Sequence, residues 1–480
     1  MSDATTCNGA RKQDDMIFDI LKKSADGAAA ARLGRLVLPK RRPIETPNYI
    51  ATGSRGVVPH ITPDNLAKHT SFGATYMALE DCKSIANIPN RPLHAFTCLP
   101  DSIATVLAPR RNPAIKTPVG NRNKTISIFT STGFRNLTTD DYSAAVETLR
   151  PDIVIGPADL FHTSSMPPSK KLVRMAERTE EWTDVFLSPK RQERLKERGV
   201  SVFAPVLAVP YQIQWEHLSH LADDIVDSLS GLAIYDIDLL PDIEENYKPL
   251  VHLPRLSLHI PETPQAILRQ VSLGVDILTV PFLNTISDAG VALTFTFPPT
   301  NGGIQPLGID MWQPDHETAL KPLMEGYACT THHRAFVHHL LNAKEMLGWT
   351  LLQIHNHQVL TNFFAGIRAA LQAGSDKFEK VSEKFVATYE AELPQGTGTR
   401  PRARGYHFKG EANPSKINPS TWQNFSDGSS DTGAEVGVIA GEAKVAVQEG
   451  AETPLVPDIS SLELQEKGFA ELAEEKPKST

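Results

Sequence analysis

Residues 202–235 read VFAPVLAVPYQIQWEHLSHLADDIVDSLSGLAIY, and the fold class turns on how they divide. The uncharged run at 202–208 has strand length, residues 212–229 carry a helical pattern, and a second apolar run follows at 231–235. Short continuous aliphatic runs of this kind are strands buried on both faces, which means parallel strands covered by helices. Working outward, further strands are predicted at 74–79, 103–107, 126–130, 152–156, 255–259 and 275–280. A helix at 138–149 places Tyr142, Ala145, Val146 and Leu149 on one face and stops before Pro151, and a long helical segment covers 169–198. The unit after 255–259 carries its own punctuation: Thr263 caps a helix, Pro264 fills its first position and Gly274 stands just past its end.

The candidate strands number close to eight, so a TIM-type (β/α)8 barrel is the natural reading, with a doubly wound open sheet as the alternative. No Gly-x-Gly-x-x-Gly or phosphate loop occurs in the chain, which weakens the nucleotide-binding version of the open sheet. In a barrel, chemistry belongs at the carboxyl ends of the strands, here near Asp159, Ala208, Asp236 and Thr279.

Composition sets limits on the rest. With 480 residues and 40% hydrophobic content the chain can build a large core and is neither collagenous nor wholly disordered. No apolar run of membrane-spanning length occurs, and residues 1–12 are too polar for a signal peptide, which predicts a soluble, cytoplasmic protein. The four cysteines, Cys7, Cys82, Cys98 and Cys329, are too few and scattered for a disulfide framework. Charge is concentrated at one end: residues 426–480 hold twelve acids and four lysines, a net of -8 that equals the charge of the whole chain. The sequence from 395 onward is rich in Gly, Ser, Thr, Pro and Glu, which predicts a disordered acidic tail at 395–480.

Residues 329–368 are dense in histidine, which invites a metal reading. A helical zinc site needs histidines at i and i+4, and His332, His333, His338 and His339 contain no such pair; His332 and His339 would sit ~10 Å apart along a helix axis. A simple metalloprotease motif is therefore excluded. The remaining reading is histidines packed or solvated on two antiparallel helices.

Several motifs in this chain coincide with one family. Arg334-Ala335-Phe336-Val337-His338-His339-Leu340, followed by His355-Asn356, resembles the zinc segment of the tRNA-guanine transglycosylases. Further matches are Ala31-Arg32-Leu33-Gly34, Ile44-Glu45-Thr46-Pro47, Ser54-Arg55-Gly56-Val57-Val58-Pro59-His60, Leu149-Arg150-Pro151-Asp152, Gly274-Val275-Asp276 and Gly290-Val291-Ala292-Leu293-Thr294-Phe295. Together they span most of residues 16–373 and resemble a non-catalytic eukaryotic branch of the family. The resemblance implies an irregular TIM barrel at 16–320, a small zinc-type helical subdomain at 321–373 that also serves dimerisation, and a C-terminal helix at 374–394, with residues 1–15 disordered.

The departures from the family pattern carry the functional reading. Counting back from Arg334, the family's three zinc cysteines fall on Met324, Gly326 and Cys329, and its histidine ligand on His355. The resemblance implies one zinc per subunit, yet two of these positions offer no donor, so zinc needs substitutes such as His332 or His333 or is lost. The family's nucleophilic aspartate, which attacks the ribose anomeric carbon, falls on Thr279, and a hydroxyl cannot stabilise an oxocarbenium-like centre as a carboxylate does. Asp276 matches a structural aspartate beside it. The family's base-holding Asp-Ser-Gly-Gly run is missing, its place near 105–110 reading Thr-Val-Leu-Ala-Pro-Arg. Tyr235 should crowd the purine pocket, and Asp159 aligns with a base-recognising aspartate or caps the following helix.

The expectation is thus a non-catalytic subunit that pairs with a catalytic queuine tRNA-ribosyltransferase subunit and helps hold the anticodon loop of tRNAs whose anticodon begins with guanosine, the target base being flipped out for exchange. Lys170, Lys171, Arg174 and Arg178 on one predicted helix, with Arg110 and Arg111, are the basic candidates for phosphate contact. The apolar residues Phe336, Leu340, Leu347, Leu351, Leu352, Phe363 and Phe364 supply a partner surface, the subdomain core, or both. Kinship also implies peripheral association with the mitochondrial outer membrane. Two other readings remain: a self-sufficient exchange enzyme using Thr279 or Asp276, and an RNA-binding scaffold outside this chemistry.

Overall fold

The computed structural model describes residues 16–401 apart from 24–30, 83–85, 87, 89–91, 118–119, 131–132, 162–165, 301–302 and 325–331. Residues 1–15, Gly326, Cys329 and 402–480 of the predicted tail lie outside the described residues, while its first part, 395–401, is described and bonds Asp310 through the Thr397 amide and hydroxyl. Eight parallel strands close into a barrel: β1 Asn48–Thr52, β2 Ala74–Ala78, β3 Ala104–Ala108, β4 Ile153–Ile155, β5 Ser201–Val206, β6 Gly231–Ile234, β7 Arg255–Ser257 and β8 Ile277–Thr279. Closure comes from β8 pairing in parallel with β1, Thr279 opposite Ile50. The open-sheet alternative is thereby excluded.

One predicted strand is placed elsewhere. Residues 126–130 belong to Thr125–Thr130, which pairs antiparallel with Gly133–Thr138 in a hairpin outside the barrel. The eighth position is taken by Asn48–Thr52, whose sequence NYIAT is too short and mixed to stand out. The helical segment at 169–198 is two helices, Ser169–Phe186 and Pro189–Glu197, because Pro189 cannot donate into a continuing helix and instead opens the next one. Thr263 caps Pro264–Ser272 by accepting from the Ala266 amide, and Gly274 follows at φ +89°, a left-handed turn that suits glycine.

The barrel interior is filled by Ile50, Val106, Ile155, Phe203, Leu256 and Ile277 among others. Gly231 opens β6 because a side chain there would strike the Phe203 ring at 2.6 Å. An antiparallel sheet of Ile17–Lys23, Arg32–Val37 and Ile44–Thr46 closes the amino end, and Leu36, Leu38 and Ile44 join the interior cluster. Arg32 from that sheet reaches Asp276, just before β8, with Nη2–Oδ2 at 2.5 Å and Nε–Oδ1 at 2.9 Å, both side chains fully buried.

Beyond the barrel, Arg334–Asn342 and the 28-residue helix Met346–Ala373 are followed by Ser375–Thr388. Asn356 ties the long helix to the strand Val291–Leu293, accepting from the Leu293 amide at 2.8 Å and donating to the Val291 carbonyl at 3.0 Å. His355 donates from Nε2 to the Leu293 carbonyl at 2.8 Å. No helix among the described residues is long and apolar enough to cross a membrane.

Candidate functional site

The carboxyl ends of the strands enclose a cavity of about 400 Å³ whose wall includes Tyr76, Arg110, Asn112, Phe161, Tyr235 and His259. Tyr235, expected to crowd the pocket, is one of the residues lining this open cavity. A second cavity of about 470 Å³ shares Tyr76, Arg111 and Asn112 and runs toward His60, Asp288 and Met346.

Thr279 ends β8 with no exposed surface. Its Oγ1 accepts a 2.7 Å hydrogen bond from Asn112 Nδ2 and lies 3.2 Å from the Ser257 carbonyl, to which it donates. The Asn112 amide also reaches the Leu258 carbonyl at 3.1 Å. The hydroxyl therefore has its proton on a backbone carbonyl and a lone pair on an amide, and no general base faces it in these contacts. Asp276 is equally unavailable for attack: it lies at the amino end of the barrel, held by Arg32 and by the Arg255 amide at 2.7 Å.

Asp159 neither caps the helix Ser169–Phe186, whose N-cap is Pro168, nor stands open to a base. Its carboxylate accepts from Asn121 Nδ2 at 2.8 Å and Arg178 Nη1 at 2.6 Å. Burial pushes its carboxyl above the usual carboxylate range, against the opposing pull of Asn121 and Arg178. Asp236 accepts from the Asp238 amide and caps a short turn.

The basic candidates divide by environment. Arg178 is bonded to Asp159, and Arg111 reaches Asp81 through Nε at 3.0 Å and Nη2 at 2.5 Å. Arg110 is 6% exposed and lies in the cavity wall. Lys170 and Lys171 are exposed at the start of their helix, and Arg174 pairs with Glu177 one turn on. Of these six, only the last three present charge at the surface.

Glu80 and Asn112 are buried polar residues beside the cavity that sequence reasoning did not single out. Glu80 follows β2 and accepts the amides of Arg111 at 2.7 Å and Phe129 at 2.9 Å, linking the loop at 110–113 to the outer hairpin. An acid directly after a buried barrel strand was the available signal; Asn112 had none, since no periodic pattern marks a loop residue.

The described part of the expected zinc set does not fit a tetrahedral thiolate-rich site. Met324 is partly buried and carries only a thioether, His355 Nε2 is on the Leu293 carbonyl, and His333 Nδ1 accepts from the Phe336 amide as a helix cap. His332 stacks on Phe336 with ring centroids 5.5 Å apart. Among the described residues, no three His, Cys, Asp or Glu side chains converge to hold a metal. The subdomain has its own apolar cluster instead, including Met311, Leu323, Val337, Leu341, Trp349 and Leu352. Of the apolar partner-surface candidates, Leu351, Leu352, Phe363 and Phe364 are buried, and Leu347 is 47% exposed.

A closed parallel barrel with a cavity at the strands' carboxyl ends and a helical subdomain outside it defines the class, a TIM-type barrel. The family model described as Queuine tRNA-ribosyltransferase matches residues 26–391, and the chain belongs to that family. The protein named queuine tRNA-ribosyltransferase accessory subunit 2 in Schizosaccharomyces pombe is 35% identical over 404 residues, covering 80% of this chain and 87% of the relative. Proteins of the same name from Xenopus laevis and Drosophila mojavensis are each 26% identical, over 405 and 364 residues, covering 74% and 71% of this chain and 96% and 86% of theirs.

Proposed function

We propose that this chain is the non-catalytic accessory subunit of a heterodimeric queuine tRNA-ribosyltransferase, pairing with a catalytic paralogue that exchanges guanine for queuine at the first anticodon position. The observation that carries this reading is the bonding of Thr279. At the position matching the family's nucleophilic aspartate, the side chain is a buried hydroxyl committed to Asn112 and Ser257, and base exchange through a covalent RNA adduct needs a free carboxylate there. The similarity to proteins named as accessory subunits points the same way.

The barrel's contribution is geometric: a second copy of the architecture beside the catalytic one grips phosphates that fix the anticodon loop while the target base is flipped out. The exposed Lys170 and Lys171 suit that role, with the half-buried, Glu177-paired Arg174 beside them. The helical subdomain stands on its apolar cluster and carbonyl-directed hydrogen bonds in place of zinc, and the protein works in the cytoplasm, with peripheral attachment to the mitochondrial outer membrane as the family precedent. Co-purification with the catalytic paralogue, followed by incorporation of labelled base into tRNA, tests the proposal. Activity is expected only from the pair; incorporation by this chain alone, or failure of the two to associate, contradicts it.

A further inference from the structure

Residues 395–401, where composition predicts disorder, are seated on the body of the chain. Gly396 passes against the Ala289 carbonyl and Gly398 against the Trp312 ring, so closely that a side chain at either position would collide. Between them Thr397 donates its amide to Asp310 Oδ2 at 3.1 Å and its hydroxyl to the same oxygen at 2.7 Å. This strap lies past residues 26–391, the stretch that the family model matches. It ends at the barrel mouth: the exposed Arg400 and half-buried Pro401 stand in the wall of the cavity of about 470 Å³ that shares Tyr76, Arg111 and Asn112 with the central one. The wall's other titratable groups are Arg55, His60, Arg111 and Asp288, of which His60 pairs with Asp288 and Arg111 with Asp81.

The sequence that continues from the strap differs in charge from everything around it. Residues 400–416 hold Arg400, Arg402, Arg404, Lys409 and Lys416 against Glu411, a net of +4, whereas residues 1–399 hold 39 basic and 43 acidic side chains, a net of -4, and residues 426–480 net -8. Tyr406 and Phe408 interleave with the cations. Clustered cations with aromatic residues between them suit a phosphate backbone and its bases. Holding such a segment at one place raises its effective concentration there. We infer that the strap moors residues 400–416 at the barrel mouth as an arm that grips the phosphate backbone of single-stranded RNA. The arm serves the tRNA-holding role of the accessory subunit, and its assignment rests on that role.

Equilibrium binding of a tRNA whose anticodon begins with guanosine tests it, measured across salt concentrations for the full-length chain alone and for the chain paired with the catalytic subunit. Replacing Arg400, Arg402 and Arg404 with Gln should weaken binding about tenfold or more at low salt in both forms and flatten the dependence of log affinity on log salt by ~2. Gly398→Val, which lifts the strap off the Trp312 ring without altering charge, should weaken binding about three- to tenfold with the slope retained. Unchanged affinity and slope in the triple variant, unchanged affinity in Gly398→Val, or no tRNA binding by either form would overturn the inference. The titration of the chain alone reads the arm even where the two subunits do not associate, so failure of the arm and failure of the pairing are separate results.

Discussion

Asn112 donates a 2.7 Å hydrogen bond from its amide to the hydroxyl of Thr279, and so joins a loop at the barrel mouth to the end of the last barrel strand. The bond fixes what a new side chain at residue 279 would meet. An aspartate there is met by the Asn112 amide, and the chain still lacks the family's base-holding Asp-Ser-Gly-Gly run. Thr279→Asp is therefore expected to leave the isolated chain without base-exchange activity. Thr279→Val, which strands the buried Asn112 amide, should cost about 1–3 kcal/mol in a denaturant titration. Gain of activity in Thr279→Asp would show that the mouth still accepts a purine.

At the opposite end, Arg32 and Asp276 pair with no solvent exposure on either side chain. Removing one partner leaves a buried, uncompensated charge, so Asp276→Ala should destabilise the chain by about 3–5 kcal/mol. If Asp276 were instead a reactive group, the conservative Asp276→Asn would change complex activity out of proportion to its effect on the melting temperature; unchanged specific activity in the folded fraction is the expected result.

His217 supplies a pH dependence. It is buried, its Nε2 lies 3.0 Å from the Pro205 carbonyl, and burial pushes its pKa down from 6.5 to about 4. The unfolded chain thus binds a proton more readily between these values. Stability present above pH 6.5 is lost as pH falls toward 4, at up to ~1.4 kcal/mol per pH unit from this one group. His217→Gln, whose amide can still reach Pro205, should show a shallower loss of melting temperature between pH 7 and 5 than the unmodified chain. An identical slope would contradict the assignment.

The surface charges separate by salt dependence. Replacing Lys170, Lys171 and Arg174 with Ala should weaken tRNA binding by the paired subunits and flatten its dependence on log salt by ~0.7–0.9 for each phosphate no longer neutralised. Arg178→Ala removes the partner of Asp159 and should lower stability while leaving that slope unchanged.

Zinc gives a test by composition. The full-length chain should carry well under one zinc after purification in zinc-supplemented medium, and a chelator should leave its melting temperature unchanged; stoichiometric metal with loss of the subdomain on chelation would contradict the account.

The barrel was legible because its strands are short, apolar and punctuated: Thr263, Pro264 and Gly274 mark a helix's two ends in sequence as they do in space. The strand at 126–130 was misplaced because a buried alternating run looks alike in a barrel and in an outer hairpin, and only its antiparallel partner at Gly133–Thr138 separates the two. Asn48–Thr52 escaped notice because its pattern reflects pairing with β8, more than two hundred residues away in the chain. At the site, Thr279 was singled out by the family resemblance, counting from Gly274. The partners that fix its chemistry, Asn112 and the Ser257 carbonyl, come from other strands and loops, and long-range hydrogen bonds leave no periodic trace in sequence.

The most direct test is a denaturing gel of guanosine-tRNA incubated with this chain alone, with the catalytic paralogue alone, and with both. An RNA-linked band is expected at the mass of the catalytic subunit and none at the mass of this chain. A band at the mass of this chain would contradict it.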